Sequence, residues 1–184
     1  VNAGVVAAGA ATAMPAVSYA RVMGANDQIR AAVIGWKGRG KYHIRGLREH
    51  VVAICDCDQV ILNNTKVEEN TKTTVDADGK KKVEKTYRKV DRVVDFRRLR
   101  DRGDIDVVSI ATPNHWHTLA GLWAVQAGKD AYIEKPGTHN IFEGRKLVEA
   151  TRKYDRIVQH GTQIRSQAAM IEAIQHIRDG LLGE

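Results

Sequence analysis

The stretch Ile29-Arg30-Ala31-Ala32-Val33-Ile34-Gly35-Trp36-Lys37-Gly38-Arg39-Gly40 decides how this chain is read. Ile29 to Ile34 is a short, mostly apolar run with β-branched residues, the composition of a strand buried on both faces. A glycine-rich loop follows at once, and from about Arg39 to Glu49 the pattern turns helical. A loop that leaves a strand and opens a helix is an anion site. The first helical turn carries unpaired N–H groups, and the helix dipole favours negative charge there. Gly35 and Gly40 take the first and third positions of G-x-G-x-x-G, and Lys37 stands where the second glycine belongs. Gly38 is expected to supply part of the backbone freedom lost at Lys37. The Lys37 ammonium is a candidate phosphate contact.

Alone, an imperfect glycine motif is weak evidence. A second apolar run, Val51 to Cys55, ends at Asp56, roughly twenty residues beyond the loop. An acidic side chain at that place accepts the ribose hydroxyls of a dinucleotide and repels a 2′-phosphate, which leans toward NAD and leaves NADP open. Lys37 and Arg39 blunt that lean. The competing reading of Asp56 is a loop-capping aspartate.

Beyond Asp56 the alternation continues. Asp58 to about Thr73 is polar and helix-permissive, Asp76 to Gly79 is a turn, and Lys82 to Val90 alternates as an edge strand would. Val94 to Arg102 reads as a short basic helix and Ile105 to Ala111 as a strongly apolar strand. Trp116 to Ala127 reads as a helix stopped by Gly128. Then come a strand at Asp130 to Ile133, a helix at Ile141 to Tyr154, a strand at Arg156 to Gln159 and an amphipathic helix at Gln167 to Asp179. Strands apolar on both faces and separated by helices imply an α/β fold with a doubly wound parallel sheet, the Rossmann type, over residues 28–160. Ligands then bind at the carboxyl ends of the strands.

Two polar segments follow strands and so face that end. Thr112-Pro113-Asn114-His115-Trp116-His117 comes after the strand ending at Ala111. Its H-x-H spacing admits a metal-hydrolase reading, but no further histidine or carboxylate cluster follows a neighbouring strand, so no metal is expected. For each residue of this segment, a turn-shaping or packing role competes equally with ligand contact. Glu134-Lys135-Pro136 comes after Ile133. A partly desolvated lysine there can polarise a substrate hydroxyl or carbonyl, or share its proton. A plain Glu134–Lys135 salt bridge is the equal alternative.

The net charge of +7 suits an anionic ligand, yet much of the excess lies between Lys80 and Arg102, interleaved with acids. A solvated face explains it better than nucleic acid, which would ask for more aromatics than Tyr87 and Phe96. Two cysteines, Cys55 and Cys57, exclude a disulfide framework and read as core or rim residues on one strand face. Residues 1–26 are small and apolar but broken by Gly4, Gly9 and Pro15, which disfavours a membrane span. They resemble the apolar and cleavage regions of an export signal, with a floppy extension as the other reading. A periplasmic location is therefore expected, a cytoplasmic one being the alternative.

Together, AAVIGWKGRG, VVAICDCD, DVVSIATPNHWH, GKDAYIEKPGTHN and VQHGTQIRS resemble the Gfo/Idh/MocA oxidoreductase family, above all its exported bacterial branch. The resemblance runs from Ile29 to Glu184. It implies an N-terminal domain that holds NAD(P) and a second α/β domain that covers the substrate, of which residues 161–184 would be only the opening helix. It places Gly35, Gly38, Arg39 and Gly40 at the pyrophosphate and Asp56 at the adenosine ribose. Thr112, Asn114 and His117 would line the crevice, Glu134 and Gln163 would lie near the nicotinamide, and Lys135 would be catalytic. The implied activity is hydride transfer on a sugar, polyol or related hydroxyl compound, in a homo-oligomer. An NAD-dependent glycosidase of the same family and a non-catalytic nucleotide-binding module are the alternatives.

Overall fold

In the computed structural model, residues 28–76 and 78–183 are described; the export-signal reading of residues 1–26 lies outside them. Six parallel strands form the central sheet: β1 (Ala31–Ile34), β2 (Val51–Cys55), β5 (Asp91–Val93), β6 (Val107–Ile110), β7 (Asp130–Ile133) and β8 (Val158–His160). Their spatial order is β5-β2-β1-β6-β7-β8. Set aside the antiparallel pair β3 (Val67–Val75) and β4 (Lys81–Arg88), and this is the Rossmann order 3-2-1-4-5-6. The order reverses between β1 and β6, where Ile34 lies beside Ile110. Such a reversal splays the outgoing loops apart and opens a crevice.

Helices cover both faces, which is why β1 is buried at every residue. On one face, Leu99 of α3 (Arg97–Arg100), Ala120 and Ala124 of α4 (His117–Gln126) and Leu147 of α5 (Ile141–Lys153) pack on Ala32, Ile34 and Ile110. On the other, Ile44 of α1 (Gly40–Leu47) and Leu62 of α2 (Gln59–Asn64) pack with Val33, Val51 and Ile54. The final helix, α6 (Ala168–Arg178), buries no residue and leaves Met170, Ile171, Ile174 and Ile177 exposed.

The polar stretch after Asp58 departs from expectation. Asp58 caps α2 by accepting from the Val60 and Ile61 N–H groups, but the helix stops at Asn64. Thr65, fully buried, then turns its hydroxyl back onto the Ile61 carbonyl. From Val67 the β-branched Thr71, Thr73, Thr74 and Val75 pair across to β4 instead of continuing a helix. The expected turn is present, with the Lys80 N–H donating to Asp76 Oδ1 at 2.7 Å. The strand expected to run to Val90 ends at Arg88, and Asp91–Val93 starts a separate strand against β2. Three residues with two charges do not carry a strand signal, and only the sheet edge makes them one.

Candidate functional site

The loops leaving β1, β2, β5 and β6 enclose a crevice of about 850 Å³. Its floor is the glycine loop. Gly35 has φ +84°, and a Cβ there would lie 2.8 Å from the Ala111 carbonyl; at Gly40 it would lie 1.9 Å from the Gly35 oxygen. These two glycines let the loop close against β6 and let α1 start directly beneath it. Gly38 takes the left-handed conformation too (φ +64°), with open space on its side-chain face. Lys37 does not take it, so lysine fits there without backbone strain, its side chain exposed. Thr112, just after β6, also lines the crevice, and its buried hydroxyl has no partner among the described residues.

Asp56 joins the second wall to the floor. Its Oδ2 accepts from the Trp36 N–H at 2.9 Å and its Oδ1 from the Asp58 N–H at 3.0 Å. The carboxylate is thus oriented by the glycine loop itself and lines the crevice. Cys55 and Cys57 line it as well, one buried and one exposed. Burial, with the negative charges of Asp56 and Asp95, pushes the Cys55 thiol up to about 12, so it is a neutral packing group.

Glu134, directly after β7, is only 3% exposed. Its Oε1 accepts from Arg39 Nε at 3.2 Å and His43 Nε2 at 2.8 Å. Its Oε2 accepts from the Gln163 side chain and, at 3.3 Å, from the Lys135 N–H. Burial pushes this carboxyl up, but the hydrogen bonds from His43, Arg39 and Lys135 outweigh it and hold it below the ordinary glutamate range. All its accepting positions are therefore committed to the protein. Lys135 is exposed, and its side chain makes no salt bridge with Glu134.

His117 is 1% exposed. Its Nδ1 lies 2.6 Å from the Pro136 carbonyl and its Nε2 2.7 Å from the Thr112 carbonyl. It ties the turn after β6 to the turn after β7, and neither ring nitrogen is free for a metal or a ligand. Asn114 opens a 3₁₀ turn, half-buried, while its neighbours His115 and Trp116 line the crevice.

A family model described as an oxidoreductase family with an NAD-binding Rossmann fold matches residues 29–162. The chain belongs to the Gfo/Idh/MocA oxidoreductase family. Glycosyl hydrolase family 109 protein 2 of Shewanella sp. (strain ANA-3) is 30% identical over 164 residues, covering 86% of this chain and 34% of that protein. Levoglucosan dehydrogenase of Pseudarthrobacter phenanthrenivorans is 33% identical over 89 residues, covering 48% of this chain and 23% of that protein. The chain thus spans about a third of the first of these relatives. Among solved structures, the dehydrogenase WlbA from Bordetella pertussis, in complex with NADH and UDP-GlcNAcA, superposes with a TM-score of 0.67. The identity is 21%, and the match covers 84% of this chain and 43% of that one. Myo-inositol 2-dehydrogenase from Lactobacillus plantarum gives 0.65 at 21% identity, covering 86% and 43%.

For a Gfo/Idh/MocA domain the residues present fit NAD. The open face of Gly38 admits a pyrophosphate, the Thr112 hydroxyl is an unspent donor, and Asp56 is a fixed acceptor. The sequence reading missed His43 and Ser109, which form a chain to Glu134, and Phe96, which lines the crevice and stacks on Trp123 at 4.9 Å. Only His43 had a legible signal: it lies one helical turn after Arg39, on the same face of α1.

Proposed function

We propose that this chain is the cofactor half of an NAD-dependent oxidoreductase acting on a sugar, polyol or related hydroxyl compound. The observation that carries this reading is the hydrogen bond from the Trp36 N–H to Asp56, which locks the ribose-binding acid to the phosphate-binding loop at the sheet's reversal point. When bound, NAD supplies the acceptor or donor of a hydride. The chain's own residues do the rest. Gly35, Gly38 and Gly40 let backbone N–H groups at the start of α1 face the pyrophosphate. Lys37 adds a positive charge to that loop, and Asp56 accepts from the adenosine ribose. Lys135 follows β7, two strands from β1 and at the same end of the sheet, and its ammonium is the group to hold or move the proton on the substrate oxygen. In this reading residues 28–160 form the cofactor domain, and α6 leads toward the substrate domain.

The test uses the complete gene product, with NAD and a panel of sugars and polyols. Stoichiometric NADH formation that falls at least ~100-fold in Lys135→Ala supports the reading. Absence of NAD binding, or full turnover in Lys135→Ala, sinks it.

The 30% identity to a glycosyl hydrolase family 109 protein favours a second reading, in which NAD is reduced and reoxidised within one hydrolytic cycle. Hydrolysis of an aryl glycoside without net NADH selects it; net NADH excludes it.

A further inference from the structure

Glu134 gathers four parts of the chain: α1 through Arg39 and His43, the Lys135 turn, the turn holding Gln163, and β6 at one remove through Ser109. His43 differs from the other side-chain donors in having a second, buried hydrogen bond. Its Nδ1 lies 2.7 Å from Ser109 Oγ, and Ser109 is 4% exposed in a central strand. The ring also meets Tyr132 edge-to-face, with centroids 5.3 Å apart. Arg39, by contrast, has a side chain 44% exposed, and Gln163, itself half-buried, sits in an exposed turn.

Hydrogen counting fixes one nitrogen of the ring. Glu134 is ionised and accepts only, so the nitrogen facing it at 2.8 Å must carry a hydrogen. Nε2 therefore carries a hydrogen, and Nδ1 pairs with the Ser109 hydroxyl. The glutamate is thereby referred to β6, one of the strands whose outgoing loops line the crevice, and not only to a helix and a turn.

We propose that His43 is a positioning residue. Oriented by Ser109, its Nε2–H fixes Glu134, and Glu134 fixes the Lys135 backbone N–H, so that Lys135 keeps its place relative to the glycine loop at the start of α1. This rests on the reading of Lys135 as the proton-handling group. It assigns His43 no contact with cofactor or substrate.

Two variants and one spectrum of the complete gene product test it. His43→Phe keeps the ring's bulk and its contact with Tyr132 but removes both nitrogens. His43→Gln returns an N–H at the place of Nε2. The expected result for the Phe variant is kcat ~10- to 100-fold lower with the NAD dissociation constant within about threefold of wild type. The Gln variant should recover most of that kcat. Unchanged kcat in His43→Phe, parallel loss of kcat and NAD affinity, or a Gln variant no better than Phe overturns the proposal. If His43→Phe fails to fold, long-range ¹H–¹⁵N spectra of the histidine-labelled wild type decide. A hydrogen on Nε2 supports the proposal, and an Nε2 without one overturns it. Full kcat in Lys135→Ala would remove the reading on which the proposal rests, while leaving the spectrum of His43 unchanged; the two failures are thus distinguishable.

Discussion

Asp56 at the end of β2 and Glu134 at the end of β7 are both carboxylates at the carboxyl edge of one sheet, yet they are held in different ways. Asp56 is oriented by two backbone N–H groups and lines the crevice. Glu134 is buried and filled by four donors, three of them side chains from distant positions. The difference separates two uses of the same chemistry. Backbone donors at one edge leave lone pairs for a ligand, whereas a saturated carboxylate becomes part of the frame.

The largest expected effect tests the frame. Glu134→Ala leaves Arg39 and His43 donors facing an empty, buried site, and should cost about 3–5 kcal/mol of unfolding free energy. Urea denaturation checks this, and a loss below about 1 kcal/mol would make Glu134 no more than a surface acid. Next comes the floor. At Gly40 a methyl group would lie 1.9 Å from a backbone oxygen, so Gly40→Ala should lose about 1–3 kcal/mol and weaken NAD binding. Calorimetric titration and thermal unfolding would show both, and an unaffected loop would contradict the packing.

A pH series sharpens the contrast further. The Glu134 carboxyl is lowered from 4.5, so its stabilisation is present above that pH and is lost as pH falls through its folded-state value. The stability gap between wild type and Glu134→Gln should narrow as pH drops below 4.5. A gap that stays constant down to the acid transition would mean the group is not ionised in the native state. The smallest effect belongs to Lys37. Exposed and unstrained, it should lower NAD affinity by about threefold or less in Lys37→Ala, an amount that shrinks with added salt.

The same contrast explains what was legible in the sequence. The strand–glycine loop–helix unit and Asp56 are local: their spacing is dictated by one β-α-β passage, and Asp56 is bonded to a residue 20 positions away. The sheet order follows from such units. The Glu134 cluster is not local. Its partners lie 29, 91 and 95 positions away, and the one short spacing among them, Arg39 to His43, does not point to Glu134. The helix-permissive reading up to about Thr73 fails from Val67 onward because polar residues carry little periodic signal, and the pairing that makes this stretch a strand is supplied by β4. His117 was equally ambiguous, since burial between two carbonyls depends on turns from two different strands.

In the proposed function Asp56 serves the ligand and Glu134 the frame. Titration of NAD into wild type and Asp56→Ala, followed through the fluorescence of Trp36 and Trp116 in the crevice wall, tests it most directly. The account predicts saturable binding to wild type and, in Asp56→Ala, an affinity lowered by about tenfold or more in a protein that remains folded. Equal affinity in the two proteins, or no saturable signal in wild type, would contradict it.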